Sequence, residues 1–180
     1  MEKEYDILKH IHKSGKTTQR EIALNAGISV GAVNLLLKKM VRKGLVKIDR
    51  INTKTLRYVL TPKGMQEKLR LTYNYAKISY RRISLIREGV NAIVDEQTEN
   101  IGPIKEVALF GPDDEISEII KMALSSTGVA YKLFDDKLSL KEYIEIKHDK
   151  WPVLVWTAEG QESVEGWHSN VLNVLHRVTY

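Results

Sequence analysis

Residues 17–47 read TTQREIALNAGISVGAVNLLLKKMVRKGLVK. Thr18 stands three residues before Glu21, the spacing of a capping box, in which each side chain satisfies the other residue's free backbone N–H. Ile22, Ala23 and Ala26 recur at helical spacing and give a short helix one buried stripe. Gly27 takes positive φ at a turn without a side-chain penalty. Ser29 is a strong N-cap for a second helix, Val30 to Lys43, whose apolar face is Val33, Leu36, Leu37, Met40 and Val41. Gly44 ends it after the basic last turn Arg42-Lys43, which suits the negative end of the helix dipole. The stretch therefore predicts a helix, a tight turn and a second helix.

Downstream, Leu45 to Arg50 is rich in β-formers, Asn52-Thr53-Lys54-Thr55 is a polar turn, and Leu56 to Leu60 is a returning strand. Thr61-Pro62, an N-cap and a first-turn proline, opens another helix. Upstream, Tyr5, Ile7, Leu8 and Ile11 give a supporting helix over about residues 3–13. Three helices, a two-stranded hairpin and a further helix make a winged helix-turn-helix. On Glu21-Ile22-Ala23, Ala26-Gly27-Ile28-Ser29, Ala32-Val33, Leu37, Met40-Val41, Lys43-Gly44-Leu45-Val46 and the LTPKG entry of Leu60 to Gly64, the block resembles the winged-helix transcriptional regulators of the MarR type. The resemblance covers about residues 1–70 and implies a regulator that binds double-stranded DNA. It departs at the N-terminus, where those regulators usually carry an extra helix that helps them dimerise.

Charge is distributed to match. Residues 1–100 hold 20 Lys or Arg against 10 Asp or Glu, a net of +10, and residues 101–180 hold 8 against 13, a net of −5. A basic module fused to an acidic one has this asymmetry. There is no cysteine, which removes disulfides, thiolate metal sites and cysteine nucleophiles and fits a cytoplasmic protein. No apolar run is long enough to span a membrane, and the first residues lack the apolar core of a secretory signal. His10, His12, His148, His168 and His176 form no ligand or catalytic pattern, and no P-loop, H-E-x-x-H or G-x-S-x-G occurs. An enzyme, a metal site and a bound cofactor are therefore not expected.

In a winged helix-turn-helix the N-terminal part of the second helix enters the major groove. Its face away from the core carries Gly31, Asn34 and Lys38, with Ser29 at its edge. Asn34 is the candidate base reader, since an amide bonds adenine at two points, and Lys38 reaches a guanine or a phosphate. The bland alternative for Asn34 is a solvated polar residue. Thr17, Thr18, Gln19 and Ser29 lie at helix N-termini suited to phosphate oxygens. Arg50, Lys54 and Arg57, with Asn52, place basic groups on the hairpin for the flanking minor groove, although charge also keeps edge hairpins soluble.

From Pro62 to about Glu99 the chain carries no further proline. Leu69, Ala76, Ile83 and Val90 recur every seven residues, with Thr72, Ser79, Ile86 and Ile93 between them and Tyr73 and Tyr80 flanking. This heptad seam predicts a helix of about 55 Å that pairs with its copy in a homodimer. Its dimerisation residues are Leu69, Ala76, Ile83, Ile86, Val90 and Ile93, and the alternative is a helical hairpin within one chain. Gly102-Pro103 marks the next boundary.

Beyond it, strands at residues 106–110, 129–134 and 152–156 alternate with helices at 114–125, 140–147 and 162–177. That pattern predicts a small Rossmann-like unit with a three-stranded parallel sheet in the order 2-1-3. Ligands of such sheets sit beyond the carboxyl ends of the strands, so Gly111, Asp113, Asp135 and Thr157 mark a candidate crevice. Pro112 and the acids after Gly111 replace the glycine-rich turn a dinucleotide needs, and those acids more simply cap helices.

The expected fold is thus α+β and multidomain: a winged helix-turn-helix over 1–61, a long helical dimerisation linker over 62–100 and a regulatory α/β domain over 101–180. The expected function is sequence-specific regulation of transcription by a DNA-bound homodimer whose C-terminal domain senses a small-molecule effector or adds oligomer contacts. The alternative is a winged-helix adaptor whose α/β domain binds a partner protein or a nucleotide.

Overall fold

The first helix, α1 (Glu2–Ser14), buries Ile7, Leu8 and Ile11 against the elements that follow. The structure, a computed structural model, describes residues 2–15, 17–50, 56–147 and 152–178, without the side chains of Glu2, Arg50, Leu56 and Lys147. It divides into two compact units, Met1–Ile78 and Ser79–Tyr180.

In the first unit, α1 packs with α2 (Gln19–Ala26), α3 (Val30–Arg42) and an antiparallel hairpin of β1 (Val46–Arg50) and β2 (Leu56–Leu60). The capping box forms as its spacing requires. Glu21 N donates to Thr18 Oγ1, and Thr18 N donates to Glu21 Oε2 at 2.8 Å. Gly27 adopts φ +60° at the turn, and Gly44 adopts φ +71° after α3. Ile22, Val33, Leu37 and Met40 join the α1 residues in the core, closed by Tyr58 of β2. Burying one such aliphatic side chain stabilises by about 1.5–3 kcal/mol.

The fourth helix, α4 (Pro62–Ile101), begins at Thr61, whose hydroxyl donates to Gly44 O at 2.6 Å and accepts from Gly64 N at 3.0 Å. Gly64 lies against the backbone of Leu45 so closely that an added Cβ would fall on its carbonyl oxygen. Leu71 enters the first core, and Tyr75 stacks on Tyr5 with ring centroids 5.9 Å apart.

The second unit is a parallel sheet in the order β4-β3-β5-β6, from β3 (Glu106–Phe110), β4 (Ala130–Phe134), β5 (Val153–Val155) and β6 (Val171–Asn173). Side chains alternate across it, as strand geometry requires. Val107, Leu109 and Leu154 meet α5 (Glu115–Thr127) through Ile120 and Leu124, and meet α4 through Val90 and Ile93. Ala108, Phe110, Val153 and Val155 form the other core with Leu140 and Ile144 of α6 (Lys137–Lys147) and Val164 of α7 (Ala158–Val164).

Three expectations are corrected. The sheet has four strands, not three, because the helix expected over 162–177 stops at Val164. Gly166 turns the chain at φ +92°, and Val171-Leu172-Asn173 adds a strand before a short 3-10 turn at Val174–Arg177. The helix over 62–100 does not stand as a separate segment, since each unit takes part of it into its core. Ile86, Val90 and Ile93 are therefore not dimer contacts: they are 6%, 0% and 2% exposed inside their own unit. The heptad read there was an amphipathic stripe covered by the sheet. Leu69, Ala76 and Ile83 remain exposed. No single helix among the described residues is long and apolar enough to cross a membrane.

Candidate nucleic-acid interface

Helices α2 and α3 meet at 108°, within the roughly 90–120° of helix-turn-helix pairs. The angle follows from Gly27, whose N–H caps the Ala23 and Leu24 carbonyls while its positive φ reverses the chain. Ser29 then caps α3, its Oγ accepting from Ala32 N at 3.2 Å. Ser29, Gly31 and Lys38 are exposed and Asn34 is half-buried. A Cβ added at Gly31 would meet nothing nearer than Ser29 Oγ at 3.9 Å. The fold does not require glycine there; an approaching backbone would.

Asn34, Lys38 and Arg42 share one face of α3 and line a groove of about 560 Å³ with Gln19, Ile48 and Tyr58. Gln19 Nε2 donates to the Tyr58 hydroxyl at 2.8 Å, tying the first turn of α2 to the hairpin. Arg42 and Tyr58 were missed as groove residues. The signal for Arg42 was present: it stands four and eight residues after Lys38 and Asn34, on their side of the helix.

The other expected contacts divide. Thr18 is exposed at the N-terminus of α2, with its hydroxyl already engaged in the capping box. Thr17 does not face solvent: it is 3% exposed, bonded to His10 Nε2 at 2.8 Å and to Glu21 Oε2 at 3.2 Å. Arg57 is half-buried and donates from Nε to Gly15 O at 2.6 Å, which draws one of its donors back to the body of the unit. Asn52 and Lys54 lie outside the described residues, as does the side chain of Arg50. Residues 1–78 carry 17 Lys or Arg against 6 Asp or Glu. The backbone hydrogen bond from Thr18, and then the Thr17 hydroxyl, hold the Glu21 carboxyl below its ordinary range.

In the second unit two of the four candidate crevice residues, Asp113 and Thr157, are engaged in an ion pair and a helix cap. Asp113 holds Lys121 Nζ at 2.6 Å and Ser117 Oγ at 2.9 Å, and the lysine keeps its carboxyl below the usual range. Asp114, Asp136 and Thr157 cap α5, α6 and α7. Asp135 is exposed beside an open hollow with Lys132 and Glu142. Gly111 packs beneath the indole of Trp156, leaving no room for a Cβ.

Residues 2–47 match the family described as winged helix-turn-helix DNA-binding. The resemblance drawn from Glu21 to Val46 agrees with that match. No curated protein matches the chain. Similar solved structures include a point mutant of MepR from a multidrug-resistant S. aureus clinical isolate, at 18% identity and a TM-score of 0.41 over 55% of this chain and 77% of that one. Another is wild-type ZitR of Lactococcus lactis in complex with DNA, at 23% identity and a TM-score of 0.37 over 56% of this chain and 67% of that one.

Proposed function

We propose that the protein is a sequence-specific transcriptional regulator that binds double-stranded DNA as a homodimer, with the α/β unit sensing a small-molecule effector. The observation that carries the DNA reading is the open face of α3. Ser29, Gly31, Asn34 and Lys38 lie on its outer side, in the family-matched block and on the basic unit. Asn34 reads a base, Lys38 a base edge or phosphate, and Thr18, Gln19 and Ser29 seat the two helix N-termini on the backbone. Arg50, Lys54 and Arg57 extend the contact along the hairpin.

The homodimer is supported by the outer face of α4. Leu69, Tyr73, Ala76, Tyr80 and Ile83 are spaced by four and three residues in turn, as in a coiled-coil seam, and all are exposed. Tyr73 and Tyr80 are 69% and 72% exposed.

The test is salt-titrated binding to duplexes recovered from genomic fragments. The logarithm of the affinity is expected to fall linearly with the logarithm of salt, by about 0.9 per phosphate neutralised. Asn34→Ala is expected to erase discrimination worth about 1–3 kcal/mol at one base pair. A protein that ignores every duplex even in dilute buffer overturns the proposal.

A further inference from the structure

Leu35 of α3 is a large apolar side chain that the fold does not use. It is 70% exposed and joins none of the three hydrophobic cores among the described residues, whereas Leu36 and Leu37 beside it pack into the first. Exposure alone does not single it out, since Leu24 of α2 is 84% exposed. Its place does. Leu35 stands four residues after Gly31, three before Lys38 and seven before Arg42, so the four share the outer face of α3. A long helical side chain leans back over the preceding turn. For Leu35 that turn holds Gly31, where no side chain competes for the space.

The chemistry of the major groove decides what such a group meets. Base edges present donors and acceptors there, which suit Asn34, Lys38 and Arg42, and the thymine C5-methyl is the apolar group among them. Hydrocarbon pressed on a donor or acceptor strips it of water and returns no hydrogen bond. Pressed on a methyl, it removes two apolar surfaces from water at no such cost.

We propose that Leu35 reads the C5-methyl of a thymine, so that the protein prefers thymine over uracil at that position by apolar contact alone. This deepens the DNA reading of the same helix and rests on it. The contact carries no charge and no hydrogen bond, which separates its signature from those of Asn34 and Lys38.

Anisotropy titration of the full chain tests this on a duplex recovered from genomic fragments, with each thymine in turn replaced by deoxyuridine. The exchange keeps base pairing and every groove donor and acceptor and deletes one methyl. At one thymine, or at its symmetry mate in a palindromic site, the wild type is expected to bind about fourfold more weakly, from the ~0.8 kcal/mol of one buried methyl-sized group. Leu35→Ala, at an exposed position, is expected to keep the fold by circular dichroism and the slope of affinity against salt, and to bind the thymine and uracil duplexes alike. Leu24→Ala is expected to discriminate as the wild type does. Indifference of the wild type to uracil at every position overturns the proposal, as does discrimination that survives Leu35→Ala or is lost equally in Leu24→Ala. A protein that selects among duplex sequences yet ignores the methyl loses this assignment alone; one that binds no duplex loses the DNA reading with it.

Discussion

Gly31 and Gly64 are both helical glycines, and the structure gives them opposite reasons. At Gly64 a side chain would collide with the Leu45 backbone, which cannot move without dislodging β1. Gly64→Ala is expected to lower stability by about 1–3 kcal/mol or more, as overpacking does, measured by urea unfolding. At Gly31 the space is open. Gly31→Ala is expected to raise stability by about 0.5–1 kcal/mol, through helix propensity, while weakening duplex binding. Equal or tighter DNA binding by Gly31→Ala would remove the close-approach argument for α3. Glu21 adds a pH dependence. Its folded carboxyl titrates below the ordinary range, so it contributes stability above that range and loses it as pH falls through the folded value. The melting temperature of Glu21→Gln is expected to fall less steeply with acid than that of the wild type. An unchanged slope would show that the capping box does not carry the effect.

At the scale of elements, local chemistry was legible and long-range cover was not. Thr18, Glu21, Gly27 and Ser29 each act on neighbours within four residues, so their spacing specifies α2, the turn and the start of α3 without reference to the rest of the chain. The strand at Val171–Asn173 was hidden because Val164, Trp167, Val171 and Val174 recur at helical spacing, so Glu162 to Arg177 reads as one helix although Gly166, at φ +92°, turns the chain within it. The heptad on α4 had a different ambiguity. Periodicity reports that a stripe is apolar, not what covers it: around Ile86, Val90 and Ile93 a sheet does, whereas Leu69, Tyr73, Ala76, Tyr80 and Ile83 stay exposed. In the same way, Thr17 and Asp113 are polar residues in plausible positions that the fold uses for itself. The two parts of α4 should therefore respond differently to charge. Val90→Asp is expected to unfold the second unit, read as lost near-ultraviolet ellipticity. Tyr80→Glu with Ile83→Glu is expected to keep that signal and yield a monomer in sedimentation. A folded dimer from the Tyr80 and Ile83 variant would end the pairing proposal.

For the whole molecule, the charge division joins these arguments. Residues 1–78 carry a net of +11 and residues 79–180 a net of −6, so on the proposed DNA reading the first unit supplies the long-range attraction to a duplex and the net charge of the second opposes it. One small basic unit with a single α3 reads few base pairs, and much of its affinity is lost as salt rises. Pairing two copies through α4 changes that, because the second α3 then binds as an intramolecular event, which raises affinity by about 10²–10⁴ when the geometry allows both to engage. The half-sites would lie one helical turn or a multiple apart, about 10–10.5 base pairs per turn. The wild-type protein is therefore expected to bind a two-half-site duplex at least a hundredfold more tightly than one with a scrambled half-site. The Tyr80→Glu, Ile83→Glu monomer should bind the two duplexes within a factor of about two, the statistical advantage of two sites over one. Anisotropy titrations of both proteins on both duplexes check this. A monomeric variant that kept the hundredfold preference would place the source of affinity outside α4, in contacts made between proteins only on the DNA.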